Sequence, residues 1–578
     1  MSFRKNCADW QWRYFASPVD VDLSGFIDEK LILPDGRCIS GKSFEFDRSG
    51  EMKLSAIGQT DASGSSSALP CTLLTADFYA DKPGTLQLGW GATVRWVFSF
   101  NGKILLDARK SGNSEFPVAA DNHKVEIDYQ AGRNQLAIEV YASYLNREYA
   151  ENVKLALRIC AEQIPLDFKY QPFVSFPDAE GGAATIIFTG SCNTPAAVDY
   201  RLAGTQEWQR VYDDLGGQMR RDRAVHCIRL QDLEADRRYE YRAVLLDEFR
   251  SLQEFYSNVR YFTTAPDKNT VFRFSATADL QNTALRRDFL QRFLAGNRSF
   301  QPDFFAFLGD LYWTTFFDQQ VMDEFVVPFN ELAGERMPLV MVRGNHEIYG
   351  KESNRYFEYF SAPYPGREGY YMFRWGGVCF IVLDFGDDDG NIPPPSTRQF
   401  HNIEPYIAAE KKWLQAAVNT PVCRDAEYRI VLAHGVPAGD IKEYMPGHVR
   451  EVIDPVFGGS DPQVKIHLYL GGHIHLPFRS VPLTRDFYSV EYSGELFSGK
   501  TVPEAWGNYS FPILATGGPN RNIPENMQFT GFDVTVTPGK LIVSSIDRNM
   551  QEFDRIAVTP DGRVEELFRS GEFKYHAY

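Results

Sequence analysis

The chain has 578 residues, 44% hydrophobic and 24% charged, with a formal net charge of −16. That is ordinary globular composition over a length that calls for several domains, and the acidic balance excludes a general nucleic-acid or anionic-membrane binder, which would carry basic patches. No apolar stretch reaches the roughly 18–20 residues of a membrane span, and the eight cysteines stand singly with no C-x-x-C, which excludes a zinc ribbon and predicts free thiols.

The opening residues, "MSFRKNCADWQWRYFASPVD", hold no apolar core ahead of a small-residue cleavage site. A cytoplasmic location is therefore expected for the chain as it stands, and a secreted or periplasmic one if a leader has been trimmed away. Residues 1–164 read as strands. "TLQLGW", "VRWVFSFNGKILLD", "HKVEIDY" and "NQLAIEVYA" alternate or run β-branched and aromatic. Asn101-Gly102 is a two-residue type I′ hairpin signal. The pattern predicts a β-sandwich of jelly-roll type. It resembles the accessory domains attached to glycoside hydrolases, and that likeness implies a glycan partner for this region.

Residues 165–266 continue in strands: "AATIIFTG", "AAVDYRLAG", "HCIRLQDLEADRRYEYRAVLLD" and "VRYFTTAP". Their spacing resembles a fibronectin-III-like sandwich. Leu233 to Arg242, "LEADRRYEYR", resembles the passage in which a tyrosine of such domains packs over a corner.

From residue 267 to 578 the grammar changes to α/β order. The apolar runs "FFAFLGD", "PLVMVRGN", "VCFIVLDFG", "YRIVLAHG" and "KIHLYLGGH" alternate with helical segments such as "ALRRDFLQRFLAGN" and "AEKKWLQAAVN". Each apolar run ends in Gly, Asp, Asn or His. In α/β sheets the ligand site lies beyond the carboxyl ends of the strands, so these endings are candidates for one site. The Pro/Gly/Asp-rich stretch Asp384 to Phe400 has the length of a functional lid.

In chain order the endings are Asp279, Gly309-Asp310, Gly344-Asn345-His346-Glu347, His434 and Gly472-His473-Ile474-His475. Taken singly, each has a dull alternative: a helix cap, a turn, a left-handed glycine, a satisfied loop histidine. Imidazoles and carboxylates that converge in this number suit metal ions. The set D…GD…GNH(D/E)…H…GHxH resembles the signature of the calcineurin-like metallophosphoesterases. The preceding sandwich, "ILATGGPN" and "FTGFDVTV" make it similar to the purple acid phosphatase branch.

The resemblance implies a fold of two N-terminal β-sandwiches followed by an α/β sandwich of two central sheets flanked by helices. It also implies metal-assisted hydrolysis of a phosphomonoester or phosphodiester by two divalent or mixed-valence ions of Fe, Mn or Zn. On the same likeness Asp310 bridges the ions, Asp279 and His475 hold one, and Asn345, His434 and His473 hold the other. His346 acts on the leaving oxygen as a proton donor.

Two departures stand out. Where relatives have D-x-H or D-x-G, this chain has Asp279-Leu280-Gln281. Where purple enzymes carry GDxxY, with an iron-binding tyrosinate, it has Trp313, with Tyr312 one residue early. Indole nitrogen is a donor only. Gln281 therefore fills the gap through its amide oxygen, or the first ion has one fewer protein ligand, or a bulge lets Tyr312 swing in. The competing expectation is a carbohydrate- or surface-binding protein whose phosphoesterase domain is weak or inactive; the intact Asp310, Asn345, His346, His434, His473 and His475 argue against it.

Overall fold

The structure is a computed structural model. It describes residues 11–577 apart from 18–25, 28–29, 34, 47–50, 54–70, 110–122, 142–153, 161–165, 176–181, 192, 248–252, 267–269, 282–283, 297, 316–320, 351–352, 361–368, 387–401, 439–443 and 494–503. The expected lid lies outside the described residues from 387 onward.

Near the N-terminus two antiparallel sheets face each other. One runs in the order Lys103–Asp107, Arg95–Phe100, Gly132–Tyr141, Cys71–Ala80, Gln11–Ser17 and Lys42–Phe44. The other orders His123–Tyr129, Gly84–Ala92, Lys154–Cys160 and Glu51–Lys53. Alternation places Trp12, Leu74, Trp96, Phe98 and Ile138 of the first against Leu86, Leu88, Trp90 and Leu155 of the second. Asn101 and Gly102 close their hairpin with φ of 48° and 75°, both left-handed as a type I′ turn requires.

The next strands form a second pair of sheets. Gln209–Tyr212, Ala196–Leu202, Arg238–Asp247 and Gln253–Tyr256 make one, with Arg260–Thr263 also paired to Arg238–Asp247. Leu233 is buried, and the Tyr239 hydroxyl accepts the Glu234 N–H at 3.0 Å, which pins the corner that "LEADRRYEYR" suggests. The strands Phe168–Ser175, Ala184–Gly190 and Val225–Leu230 form the facing layer. That layer does not end there: Ser175 pairs in parallel with Leu339, so it runs on into a sheet of the following region.

Beyond residue 270 two large sheets pack face to face. The first contains parallel Phe272–Thr277, Phe304–Phe307 and Leu339–Met341, then antiparallel Gly531–Thr537, Lys540–Ile546, Glu552–Val558 and Val564–Arg569. The second runs Tyr371–Trp375, Val378–Leu383, Tyr428–Ala433, Leu468–Gly471, Ile513–Ala515, Phe478–Ser480, Phe487–Ser489 and Lys574–His576. Its four strands from Val378–Leu383 to Ile513–Ala515 are parallel.

Two-sided burial explains the unbroken apolar runs. Phe304 and Ala306 face Phe380, Val382 and Leu432 across the central layer, while Phe305 and Phe307 face Phe289 and Phe293 of helix Ala284–Phe293. In Val378–Leu383 the inward residues are Val378, Phe380 and Val382; Cys379, Ile381 and Leu383 lie against helices Ile403–Ala417 and Tyr444–Phe457. Each fully buried phenylalanine contributes roughly 1.5–3 kcal/mol. Phe304 also meets Trp375 at 4.8 Å and Phe274 in a stack at 5.2 Å between centroids. Among the described residues Cys38, Cys379 and Cys423 are free thiols. Among the described residues no helix is long and apolar enough to cross a membrane.

His467 ties the two sheets together. Its Nδ1 accepts the Arg429 N–H at 3.1 Å, and its Nε2–H donates to the Pro560 carbonyl at 2.9 Å. Burial lowers its pKa from 6.5 to about 4. The unfolded chain therefore takes up this proton first, and stability falls as pH drops from 6.5 to about 4, by about 3 kcal/mol at this site. His467→Asn keeps an acceptor for Arg429 without a titrating group. Thermal unfolding at pH 7 and 4.5 should show a smaller acid loss in the variant than in the wild type; equal losses would refute the assignment.

Candidate metal centre

Strand direction gathers the site. Asp279, Asp310 and Asn345-His346 follow the three parallel strands of the first sheet; His434, His473-His475 and Thr516 follow parallel strands of the second. The carboxyl ends of both sheets meet along one edge. The backbone there is strained: Asp279 and Asp310 have φ of 56°, His473 71° and His475 50°. Left-handed non-glycine residues cost of order 1–3 kcal/mol each and persist where their surroundings over-determine them. The Asp279 N–H donates to the Gly309 carbonyl at 3.1 Å and the Leu280 N–H to the Asp310 carbonyl at 2.7 Å, locking two of these turns together. Two glycines let the loops approach. Gly309 (φ 90°) would place a Cβ 2.7 Å from the Gly344 nitrogen, and a Cβ on Gly472 would lie 2.5 Å from Asp279 Oδ2.

The predicted residues converge. Asp279, Asp310 and His475 offer ligand atoms within 4.8 Å of one another. His475 Nε2 lies 3.4 Å from Asp279 Oδ1, and His434 Nε2 lies 3.2 Å from Asp310 Oδ2 and 3.9 Å from Asp279 Oδ1. Gln281 Nε2 is 2.9 Å from Asp310 Oδ2 and 3.4 Å from His475 Nε2. Asn345 donates from Nδ2 to the Tyr349 hydroxyl at 3.3 Å, which turns its Oδ1 toward His473 Nδ1, also at 3.3 Å. His346 Nδ1–H donates to the Trp313 carbonyl at 2.7 Å, so its Nε2 faces Asp310 Oδ2 at 3.7 Å.

The donor set fits metal ions. His434 Nδ1–H donates to the Leu308 carbonyl at 2.8 Å, which directs the buried Nε2 at the carboxylates, the atom that would serve a metal ion once a bound cation displaced its proton. Gln281 Oε1 is likewise buried without a partner, and a half-turn of the amide exchanges it with Nε2. Burial opposes charge on Asp279 and Asp310, yet His475 beside the first, and His434 and His346 beside the second, hold both carboxyls below the usual range. Burial equally opposes the imidazolium forms, but Asp310 drives His434 up to about 10 and Asp279 raises His475. Carboxylates that draw protons onto buried imidazoles make a site in which cations are favoured.

Three further contributors had no role assigned in the sequence reading. Glu347 is fully buried, and its carboxylate accepts the N–H groups of Asp310 (2.8 Å), Leu311 (2.8 Å) and Gly344 (2.7 Å). It thereby clamps the left-handed turn at Asp310 to the Asn345 loop. Burial, then the Asp310 charge, pushes the Glu347 carboxyl up to about 7, against the pull of the Leu311 and Asp310 N–H groups. Thr516 donates to Asp279 Oδ2 at 3.1 Å, and Asn520 donates to the His475 carbonyl at 3.2 Å. Thr516 also follows an apolar run, "FPILATGG", which was a usable signal. Glu347→Gln puts an amide donor against one backbone N–H. Calorimetric Mn²⁺ titration should show the roughly 10–100-fold weaker binding typical of lost outer partners; unchanged affinity would contradict the clamp.

The open question around Tyr312 has a geometric answer. Its ring is buried with Phe307, Leu311, Phe325 and Tyr356 on the helix-covered face of the sheet, and burial raises its hydroxyl pKa well above normal, with Glu347 adding to the rise. A tyrosinate is disfavoured there. Trp313 instead stands at the mouth, its ring edge-on to His346 at 5.0 Å between centroids.

Residues 272–477 match the model of the calcineurin-like phosphoesterases. No curated protein matches the chain. Among solved structures it is similar to a purple acid phosphatase from yellow lupin (Lupinus luteus) seeds. That match has 14% identity over 85% of this chain and 93% of the other, with a TM-score of 0.44. A glycosyl hydrolase family 2 member from Bacteroides cellulosilyticus matches at 12% identity over 100% of this chain and 83% of its own, with a TM-score of 0.29.

Proposed function

We propose that the protein hydrolyses a phosphoester at a dinuclear centre held by Asp279, Gln281, Asp310, Asn345, His434, His473 and His475, with His346 as proton donor. The observation that carries this reading is the convergence of these side chains from the ends of two sheets, with Asp279, Asp310, His473 and His475 on left-handed backbone. Two divalent ions, when bound, supply an activated water and neutralise the phosphoryl oxygens. Asp310 faces Gln281, His434 and His346, which supports the bridging role this reading gives it. His346 is 18% exposed at its side chain, against 2% for His434, so it can exchange its proton with solvent. With Nδ1–H fixed on the Trp313 carbonyl, the proton it delivers comes from Nε2.

The glycan suggested for residues 1–164 belongs to the same reading and rests on the likeness of their strand pattern to accessory domains. The test is a panel of phosphomonoesters and phosphodiesters assayed with Mn, Zn and Fe. Metal-dependent turnover of at least one supports the function; none with any metal supports a binding protein with an inactive domain. Because Tyr312 is buried away and Trp313 cannot ligate, reconstitution with ferric iron should give no tyrosinate charge-transfer band in the visible spectrum. Its appearance would place a tyrosine on the metal.

A further inference from the structure

We infer that Trp313 docks the leaving group, and that the substrate class is a phosphoester whose leaving alcohol carries a planar aromatic ring. This rests on the proposed hydrolysis and narrows its substrate.

Trp313 is 45% exposed, whereas Trp12, Trp90, Trp96 and Trp506 are at most 1% exposed. Large exposed aromatic surface at a site's mouth is the kind that binds. Its position is set by neighbours rather than by chance. Leu311 and Tyr312 just before it are fully buried, and its own carbonyl holds His346 at 2.7 Å. Tyr349 flanks His346 on a second side, ring centroids 5.2 Å apart, so the imidazole is fixed between two rings. The proton leaves from Nε2, beside Asp310. The leaving oxygen must therefore sit at His346, and the group attached to it extends from the imidazole toward the mouth, where the indole stands 5.0 Å from the imidazole centroid. A flat, π-rich leaving group can stack on that indole; a short polyol cannot.

The ring can come from an aryl ester or from a nucleotide base, and both arms can be measured. In the full chain loaded with Mn²⁺, kcat/KM is compared for phenyl phosphate, a nucleoside 5′-monophosphate and glycerol 1-phosphate, in the wild type, Trp313→Ala and Trp313→Phe. The preference for a ring-bearing substrate over glycerol 1-phosphate should fall roughly tenfold in Trp313→Ala and stay largely intact in Trp313→Phe. Loss confined to phenyl phosphate identifies an aryl ester; loss confined to the nucleotide identifies a base. An unchanged preference in Trp313→Ala, or no preference in the wild type, overturns the inference alone. Hydrolysis of none of the three overturns this inference, and the proposed function falls with it only when the full panel of phosphomonoesters and phosphodiesters is also inert.

Discussion

Asp310→Ala should lose metal and hydrolysis together. Asp310 is the residue that His434 Nε2, Gln281 Nε2 and His346 Nε2 all face, at 3.2, 2.9 and 3.7 Å. On the proposed reading, removing its carboxylate takes away the ligand that would be common to both ions. It also leaves the buried His434 imidazole without the charge that keeps its pKa near 10. The loss of metal affinity should exceed the roughly 10–100-fold that follows from removing an outer partner. Elemental analysis after gel filtration, alongside the assay, checks it. An Asp310→Ala protein that keeps its metals and its rate would remove Asp310 from the centre.

His346→Ala should behave in the opposite way: metals retained, chemistry impaired. The imidazole contacts the Trp313 carbonyl through Nδ1 and presents Nε2 to the site, 3.7 Å from Asp310 Oδ2. General acid catalysis typically contributes about 10²–10⁴-fold. That full loss is expected with an alkyl phosphate, whose leaving oxygen needs a proton. With a nitrophenyl ester the defect should shrink, because that oxygen leaves readily without one. Equal defects with both substrates, or loss of metal, would assign His346 a different part.

Much of this site was legible in sequence because one physical constraint writes it. Strands buried on both faces must be apolar throughout, so the first polar residue after "FFAFL", "LVMV" or "LYLGG" marks the strand's carboxyl end, where the sheets meet. The separate assignments of His473 and His475 came from the family resemblance, and Trp313 in the tyrosine's place is what motivates the expectation of no tyrosinate ligand. Other features left little trace. Glu347 stands in the GNH(D/E) motif without a role of its own; only the fold reveals that it is buried under three N–H donors. The positive φ of Asp279 and Asp310 is invisible because aspartate is common in turns for other reasons. The pairing of Ser175 with Leu339 joins residues 164 positions apart through a single register contact, and no local pattern encodes such a link. It makes the second sandwich continuous with the sheet that carries Asp279 and Asp310, where composition alone suggested a plain boundary near residue 266.

The most direct test is a titration of metal-stripped full-length protein with Mn²⁺ while hydrolysis of a phosphoester is followed. Activity should rise from the baseline and reach its plateau at two equivalents per chain, one for each half of the cluster about Asp310. A plateau at one equivalent would contradict a dinuclear centre, and a rate independent of added metal would contradict a metal centre altogether.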